Sequence, residues 1–252
     1  MDHSFEKIVS IDGVTKAYSR KAGPVLNDVS LFINKAEFFG ILGPNGAGKT
    51  TLISILVGIL KPDSGNVTVM GANVKKDFAL VKSKIGVVTQ EVALYEDLTA
   101  RENFEIFGRL YGLSGRRLQK RIGECLEMTG LIHKADSRVS TYSGGMKRLA
   151  NLVVGFLHDP ELLIVDEPTV GVDVHSRHRI YEALIGMNRG GMSIIYTSHY
   201  MEEAERLCSR IAIIDRGNIL ACSPTSELIG REGANGSLEK LFLQLTREGN
   251  DD

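Results

Sequence analysis

Gly43-Pro44-Asn45-Gly46-Ala47-Gly48-Lys49-Thr50 is the stretch from which the rest of the chain can be ordered. It matches G-x-x-x-x-G-K-[ST] in full, between the apolar run Phe-Phe-Gly-Ile-Leu at residues 38–42 and a helical pattern over about residues 49–60. Strand, glycine loop and helix in that order make a phosphate cradle. The glycines let successive backbone N–H groups turn inward toward anionic oxygens, and the helix adds its positive N-terminal end. In such a loop Lys49 reaches the β- and γ-phosphates, and the Thr50 hydroxyl coordinates magnesium (Mg2+). A dinucleotide fold competes poorly, because the glycines do not follow G-x-G-x-x-G and that loop has no use for a lysine.

On the N-terminal side, residues 7–18 and 25–33 alternate in polarity, with Val29, Leu31 and Ile33 on one face, as antiparallel strands do. Residues 67–70 and 85–88 read as further strands. From about residue 98 to residue 158 helix formers dominate, with Ile106, Leu110, Leu118, Ile122, Leu126, Leu131 and Ile132 at roughly helical spacing. Strands return at residues 162–165 and 193–197. Both are short and unalternating, which suits parallel strands covered on both faces. Residues 211–214, the turn Asp-Arg-Gly-Asn and then Ile219-Leu220 read as a hairpin closing the sheet. The expected class is α/β, with a mostly parallel core sheet, an N-terminal antiparallel β layer and a helical subdomain inserted at about residues 91–158. No repeat or Pro/Gly/Ser linker divides the chain, so residues 1–252 are expected to form a single domain.

Composition excludes several classes. With 252 residues, 43% of them hydrophobic, the chain can bury a sizeable core and is not a disordered protein. Thirty Lys plus Arg against 31 Asp plus Glu leave a formal net charge of −1, without the basic excess of a nucleic-acid coat protein. Cys125, Cys208 and Cys222 show neither zinc spacing nor a disulfide framework and are expected to be reduced thiols. The opening residues carry charges where a signal peptide needs an apolar stretch. The longest apolar runs, residues 52–60 and residues 149–157 with Asn151 inside it, are half the ~20 residues of a spanning helix. Short charge clusters at Lys75-Lys76 and Arg116-Arg117 read as solvated faces. His175 and His178 lie three apart on a predicted helix with no third ligand in sight, so a surface helix is the expectation rather than a metal site.

Leu162-Leu163-Ile164-Val165-Asp166-Glu167 supplies carboxylates. An apolar strand ending in Asp places that group at the carboxyl edge of the sheet, where open α/β folds bind ligands. Asp166 is suited to hold magnesium through water. Glu167 is placed to take a proton from an attacking water as general base.

Tyr142-Ser143-Gly144-Gly145-Met146, together with the loop at residues 43–50 and Asp166-Glu167, resembles the ATP-binding-cassette (ABC) family. The resemblance covers nearly the whole chain in family order. The run Tyr-Ser-Gly-Gly-Met-Lys-Arg is similar to the branch of bacterial drug and polysaccharide exporter ATPases. The family signature usually reads Leu-Ser-Gly-Gly-Gln, so Tyr142 and Met146 depart from it, and whatever the usual Gln bonds is missing or replaced. Val174, where the family often has Pro, is a milder departure. The resemblance implies the phosphate-loop NTPase fold in its ABC-ATPase form. It implies ATP binding by Gly43, Pro44, Asn45, Gly46, Ala47, Gly48, Lys49, Thr50 and Thr51, with Tyr18 stacking on adenine; the competing reading of Tyr18 is a strand residue packed in the β layer. It implies catalytic roles for Glu167, Lys49, Gln90 and the switch histidine His199, and magnesium contacts from Thr50, Gln90 and Asp166. Ser143, Gly144, Gly145, Met146 and Asp173 are implied to meet the ATP of a second subunit. A serine before two glycines at a helix start offers a hydroxyl and open N–H groups to an anion, which gives that role its physical logic.

The function implied is ATP hydrolysis that powers a membrane transporter, an exporter by its branch. The chain would be the nucleotide-binding subunit, peripheral on the cytoplasmic face of the cell membrane. The partners implied are a second ABC ATPase subunit, identical or different, and separately encoded permease subunits; nucleic acid is not expected. Leu94, Tyr95 and Leu98, within residues 90–113, could receive a permease helix, or they could be core of the helical subdomain. The alternative function is a soluble ABC ATPase not linked to transport, such as an iron–sulfur assembly ATPase. A repair-type member would need a long coiled-coil insertion, and a translation-factor member a second phosphate loop. Neither is in this sequence.

Overall fold

The computed structural model describes residues 6–19, 23–230 and 236–247. In chain order it begins with β1 (Lys7–Lys16), β2 (Leu26–Asn34), β3 (Phe38–Leu42), α1 (Lys49–Leu56), β4 (Ser64–Val69) and β5 (Ala72–Asn73). Then come β6 (Ile85–Val88), α2 (Ala100–Leu110), α3 (Gly115–Thr129), α4 (Gly144–Phe156), β7 (Leu162–Asp166) and α5 (Val174–Arg189). The chain closes with β8 (Ser193–Ser198), α6 (Met201–Leu207), β9 (Arg210–Asp215), β10 (Asn218–Pro224), α7 (Thr225–Gly230) and α8 (Leu238–Arg247). These elements form two compact units, Met1–Lys82 with Ser193–Asp252, and Ser83–Met192.

In the first unit, β2-β1-β4-β5 make an antiparallel layer, with Val9 opposite Ile33 and Ile11 opposite Leu31. Val29, Leu31 and Ile33 are all buried, because alternation puts them on the covered face. Strand β3 lies between β8 and β9 and is parallel to both, and β9 folds back on β10 as the expected antiparallel hairpin. Every residue of β3 and of β8 is buried. A strand flanked in the sheet and covered on both faces has no solvent side, which is why neither run alternates, although β8 also buries the hydroxyls of Ser193, Thr197 and Ser198. Helix α1 ends at Leu56 rather than near Leu60, because the chain leaves it through a turn at Gly58 in which the Ile59 and Leu60 amides both donate to the Ser54 carbonyl.

In the second unit, β6 and β7 run parallel, with Ile85 opposite Leu162 and Val88 opposite Val165. Helices α2, α3 and α4 bury Phe104, Leu118, Ile122, Leu126 and Leu149 among themselves. Three residues expected in that periodic set fall outside the buried one: Ile106 is half-buried, Leu110 is 75% exposed and Ile132 38%. The buried stripe of α2 runs through Ala100, Asn103, Phe104 and Gly108, and Leu110 sits off that stripe at the helix end. Ile132 falls in a short 3₁₀ turn after α3, where the 3.6-residue period no longer applies. The fold is therefore α/β with mostly parallel pairing, an antiparallel β layer and a helical part, as the sequence predicts. No helix among the described residues is long and apolar enough to cross a membrane.

Candidate functional site

The first unit carries the glycine loop between β3 and α1. Gly48, at φ 110°, caps the start of the helix, and a Cβ there would stand 2.8 Å from Val25 O and Leu26 Cδ2. No L side chain fits that backbone or that space. Asn45, Gly46 and Thr50 are exposed, whereas Lys49 is buried. Its ammonium folds back over the loop and donates to Gly43 O at 2.6 Å and Pro44 O at 3.1 Å. The loop thus concentrates a cation and open backbone N–H groups at the positive end of a helix, an arrangement that attracts phosphate.

Tyr18 lies beyond the end of β1 and is 63% exposed, so it is not packed in the β layer. Its hydroxyl shares a 3.1 Å hydrogen bond with Thr51 Oγ1, which brings the ring to the start of α1. His199 directly follows β8, with its ring 4.0 Å from that of Tyr200. The loop bearing His199 is braced by a carboxylate: Glu203 Oε2 accepts from Tyr196 Oη at 2.6 Å and from Ser198 Oγ at 3.1 Å. Ser198 Oγ in turn accepts from the Tyr200 amide at 2.9 Å. All of Tyr196, Ser198 and Glu203 are buried.

The second unit holds the acidic and signature groups. Strand β7 ends at Asp166, and Glu167 follows in the left-handed region at φ 45°, only 8% exposed. A non-glycine residue held there stores strain, of a kind that clusters where a side chain must be aimed. Gln90, just after β6, donates from Nε2 to Glu167 Oε2 at 3.4 Å. Ser143 caps α4, its Oγ accepting from the Met146 amide at 3.2 Å. The donor is backbone, so the cap does not depend on having Gln rather than Met at that position. Tyr142 is buried and donates its hydroxyl to Lys134 O at 2.6 Å.

Asp173 caps α5 and accepts from the Ser176 amide at 3.0 Å, which holds its carboxyl below the ordinary carboxylate range. A Cβ at Gly145 would run into the Ser176 side chain and come within 2.9 Å of Asp173 Oδ2. The signature and the Asp173 turn are therefore packed together within one chain. Tyr95 is 56% exposed and Leu94 and Leu98 are half-buried, so these three are not core residues.

Three further residues matter in the second unit, and the motifs assign a role to none of them. Arg148 donates to Gln90 O and, at 3.3 Å, to Val170 O. Asn151 accepts from the Ala93 amide at 3.0 Å and donates to Thr89 O at 3.2 Å. Lys147 reaches Glu96 at 2.5 Å. Asn151 carries a signal in the sequence, as the one polar residue interrupting an apolar run; Lys147 and Arg148 close the run Tyr-Ser-Gly-Gly-Met-Lys-Arg, but nothing in that run points to these partners.

For magnesium, Thr50, Gln90 and Asp166 offer hydroxyl, amide and carboxylate oxygens, the hard donors that ion takes. Thr50 and Gln90 are exposed and Asp166 is partly so, and all three lie at the ends of elements rather than inside them. The donor set fits the ion. Among the described residues no His/Cys/Asp/Glu cluster suited to a metal exists, and His178 instead approaches Glu182 at 3.5 Å on α5.

Residues 26–170 match the family model described as ABC transporter. The linearmycin resistance ATP-binding protein LnrL of Bacillus subtilis (strain 168) is 46% identical over 242 residues, spanning 96% of this chain and 76% of that protein. The Nod factor export ATP-binding protein I of Mesorhizobium japonicum (strain LMG 29417 / CECT 9101 / MAFF 303099) is 44% identical over 213 residues, 84% of this chain and 62% of its own length. Among solved structures, the ATP-binding subunit of an ABC transporter superimposes with a TM-score of 0.84 at 28% identity, over 95% of this chain and 99% of that one. A dimeric bacterial ABC transporter cassette gives a TM-score of 0.77 at 27% identity, over 86% and 98%.

Proposed function

The chain belongs to the ABC transporter family, as an ATP-binding subunit whose ATP hydrolysis is coupled to transport, and from that premise we propose that Glu167 is the base that activates water for the reaction. The observation that carries this is the Glu167 carboxylate itself. It is buried at the end of β7, in a backbone conformation that costs energy to hold, with one oxygen occupied by the Gln90 amide.

In this reading residues 43–51 bind the triphosphate, with Lys49 neutralising charge on the β- and γ-phosphates and Tyr18 stacking on adenine. Thr50, Asp166 and Gln90 would hold magnesium, which would supply positive charge to offset that of the phosphate oxygens. Glu167 accepts a proton as the water oxygen bonds to the γ-phosphorus, and the bond to the β-phosphate oxygen breaks, leaving ADP and phosphate. His199 contacts the γ-phosphate. Ser143, Gly144, Gly145, Met146 and Asp173 complete the site of a second cassette, so the working form is a dimer. The dimeric cassette among the solved relatives supports this.

Residues 1–252 act as one nucleotide-binding domain with a helical subdomain at about residues 91–158. Its membrane partners are separately encoded permease subunits, met through Leu94, Tyr95 and Leu98 on the cytoplasmic face of the membrane. The names of the two relatives, one in resistance and one in export, support outward transport.

The decisive experiment is Glu167→Gln. The variant is expected to bind ATP with magnesium but hydrolyse it at least ~100-fold more slowly, within the usual span of general-base catalysis. It should also accumulate as a dimer on a sizing column run in ATP. Turnover near the wild-type rate would remove Glu167 from the reaction.

A further inference from the structure

Helix α4 grips one loop with three side chains. Lys147, Arg148 and Asn151 are spaced so that Lys147 and Asn151 share a face and Arg148 lies one turn from Asn151. Together they bond to Thr89, Gln90, Ala93 and Glu96. The loop after β6 is thereby pinned along its length to the helix that the signature begins. Asn151 and Lys147 serve that loop alone. Arg148 does more, because its second guanidinium nitrogen reaches Val170 O, three residues past Glu167.

The bonds close a ring. Arg148 holds the Gln90 carbonyl, the Gln90 side-chain amide holds Glu167 Oε2, Glu167 O accepts from the Val170 amide at 3.5 Å, and the Val170 carbonyl returns to Arg148. Both partners of Arg148 are peptide oxygens, and it makes no ion pair with a described residue. A half-buried guanidinium spent on two carbonyls is not neutralising a charge. Its planar fork fixes two backbone segments at a set separation, a task for which a single ammonium point charge is poorly shaped.

We propose that Arg148 is a positioning residue for hydrolysis, which seats the Gln90 amide on Glu167 by clamping the Gln90 and Val170 carbonyls to the signature helix. The proposal rests on the reading of Glu167 as the base. It places the control of that base on α4, so that a movement of the signature helix is felt at the carboxylate through one side chain.

The test is steady-state ATP hydrolysis by the full chain, with wild type, Arg148→Met, Gln90→Ala and the double variant compared, and melting temperature followed in parallel. Arg148→Met is expected to lower kcat ~10–100-fold with KM changed by less than about 2-fold, the pattern of an interaction used only in the transition state. If Arg148 works through Gln90, the double variant is no slower than Gln90→Ala alone; a general loosening of α4 would instead multiply the two losses. Arg148→Lys, which can serve one carbonyl, should fall between wild type and Arg148→Met.

Should Arg148→Met fail to fold, Arg148→Lys carries the same comparison against Gln90→Ala. A wild-type kcat in Arg148→Met, or in Arg148→Lys where that variant stands in, or multiplicative losses in the double variant, would overturn the proposal. Failure of the underlying reading looks different: Glu167→Gln would then turn over like wild type, whatever the Arg148 variants do.

Discussion

Gly145 shows how one missing side chain can tie two motifs together. Its Cα faces the Ser176 side chain so closely that any Cβ must displace it, with Asp173 Oδ2 next in line. Overpacking of this kind costs about 1–3 kcal/mol. Gly145→Ala should therefore melt several degrees below wild type, since ~1 kcal/mol moves the Tm of a domain this size by roughly 2–4 °C. Adding Ser176→Gly to the same chain removes the atoms in the way and should restore at least half of the loss. The rescue matters because it distinguishes local crowding from a backbone requirement: at Gly145 the φ is ordinary, unlike the φ of 110° at Gly48. Gly145→Ala melting with wild type, by calorimetry, would show that the two turns are not packed together in solution.

Helix starts carry much of the local order in the second unit, and each uses a different side chain. Ser143 caps α4, Asp173 caps α5, and Thr99 with Glu102 forms a reciprocal capping box at α2. In that box Glu102 Oε2 accepts from the Thr99 amide at 2.8 Å and from Thr99 Oγ1 at 3.0 Å. These bonds, the backbone one foremost, hold the Glu102 carboxyl below its ordinary value of 4.5; Arg138 adds to the effect and Asp136 opposes it. Because the folded pKa lies below the unfolded one, the stabilisation is fully present above about pH 4.5 and is lost as the pH falls through the depressed folded value. Thr99→Ala should cost about 1 kcal/mol at pH 7, as loss of an N-cap does. In urea titrations the stability gap between wild type and Glu102→Gln should be constant from pH 7 to pH 5 and narrow on going to pH 3. A gap that widens toward low pH would mean that the carboxylate is not the form the helix uses.

Pairing of two chains is where the signature acquires its purpose. Ser143 is exposed, and in the proposed mechanism it serves the ATP held by a partner. Ser143→Arg chains should bind ATP almost normally and hydrolyse it poorly, because the bulky cation blocks closure. Lys49→Ala chains should fold and fail to bind, having lost the charge that faces the phosphates. In a mixed pair, the Lys49→Ala pocket is also the one facing the Ser143→Arg signature, so one site carries both lesions and the other carries neither. Hydrolysis by the mixture should exceed the sum of the two variants assayed alone. Ser143→Arg hydrolysing by itself at the wild-type rate would show that the signature does not complete a site across two chains.

The elements that position the nucleotide loop were readable from local pattern alone. A glycine spacing between an apolar run and a helix, the unalternating strands β3, β7 and β8, and the β9–β10 hairpin each depend on residues within a few positions of one another. A chain segment declares its period and its turns before it packs. The class of fold followed, and so did the family motifs, which lie on the loops those elements carry. Other features depended on partners far along the chain. Nothing within reach of Arg148 in sequence says that its guanidinium will find Gln90, 58 residues away, and Val170, 22 residues away. Gly145 looks like an ordinary signature glycine until Ser176 is brought against it. Leu110 and Ile132 satisfy a helical period and still face solvent, because period says that a face exists and only the packing of α2 and α3 says which residues it covers. Hydrogen bonds and close contacts between distant segments form only once the core has fixed their distance. That distance is a property of the folded chain, and no window of sequence contains it.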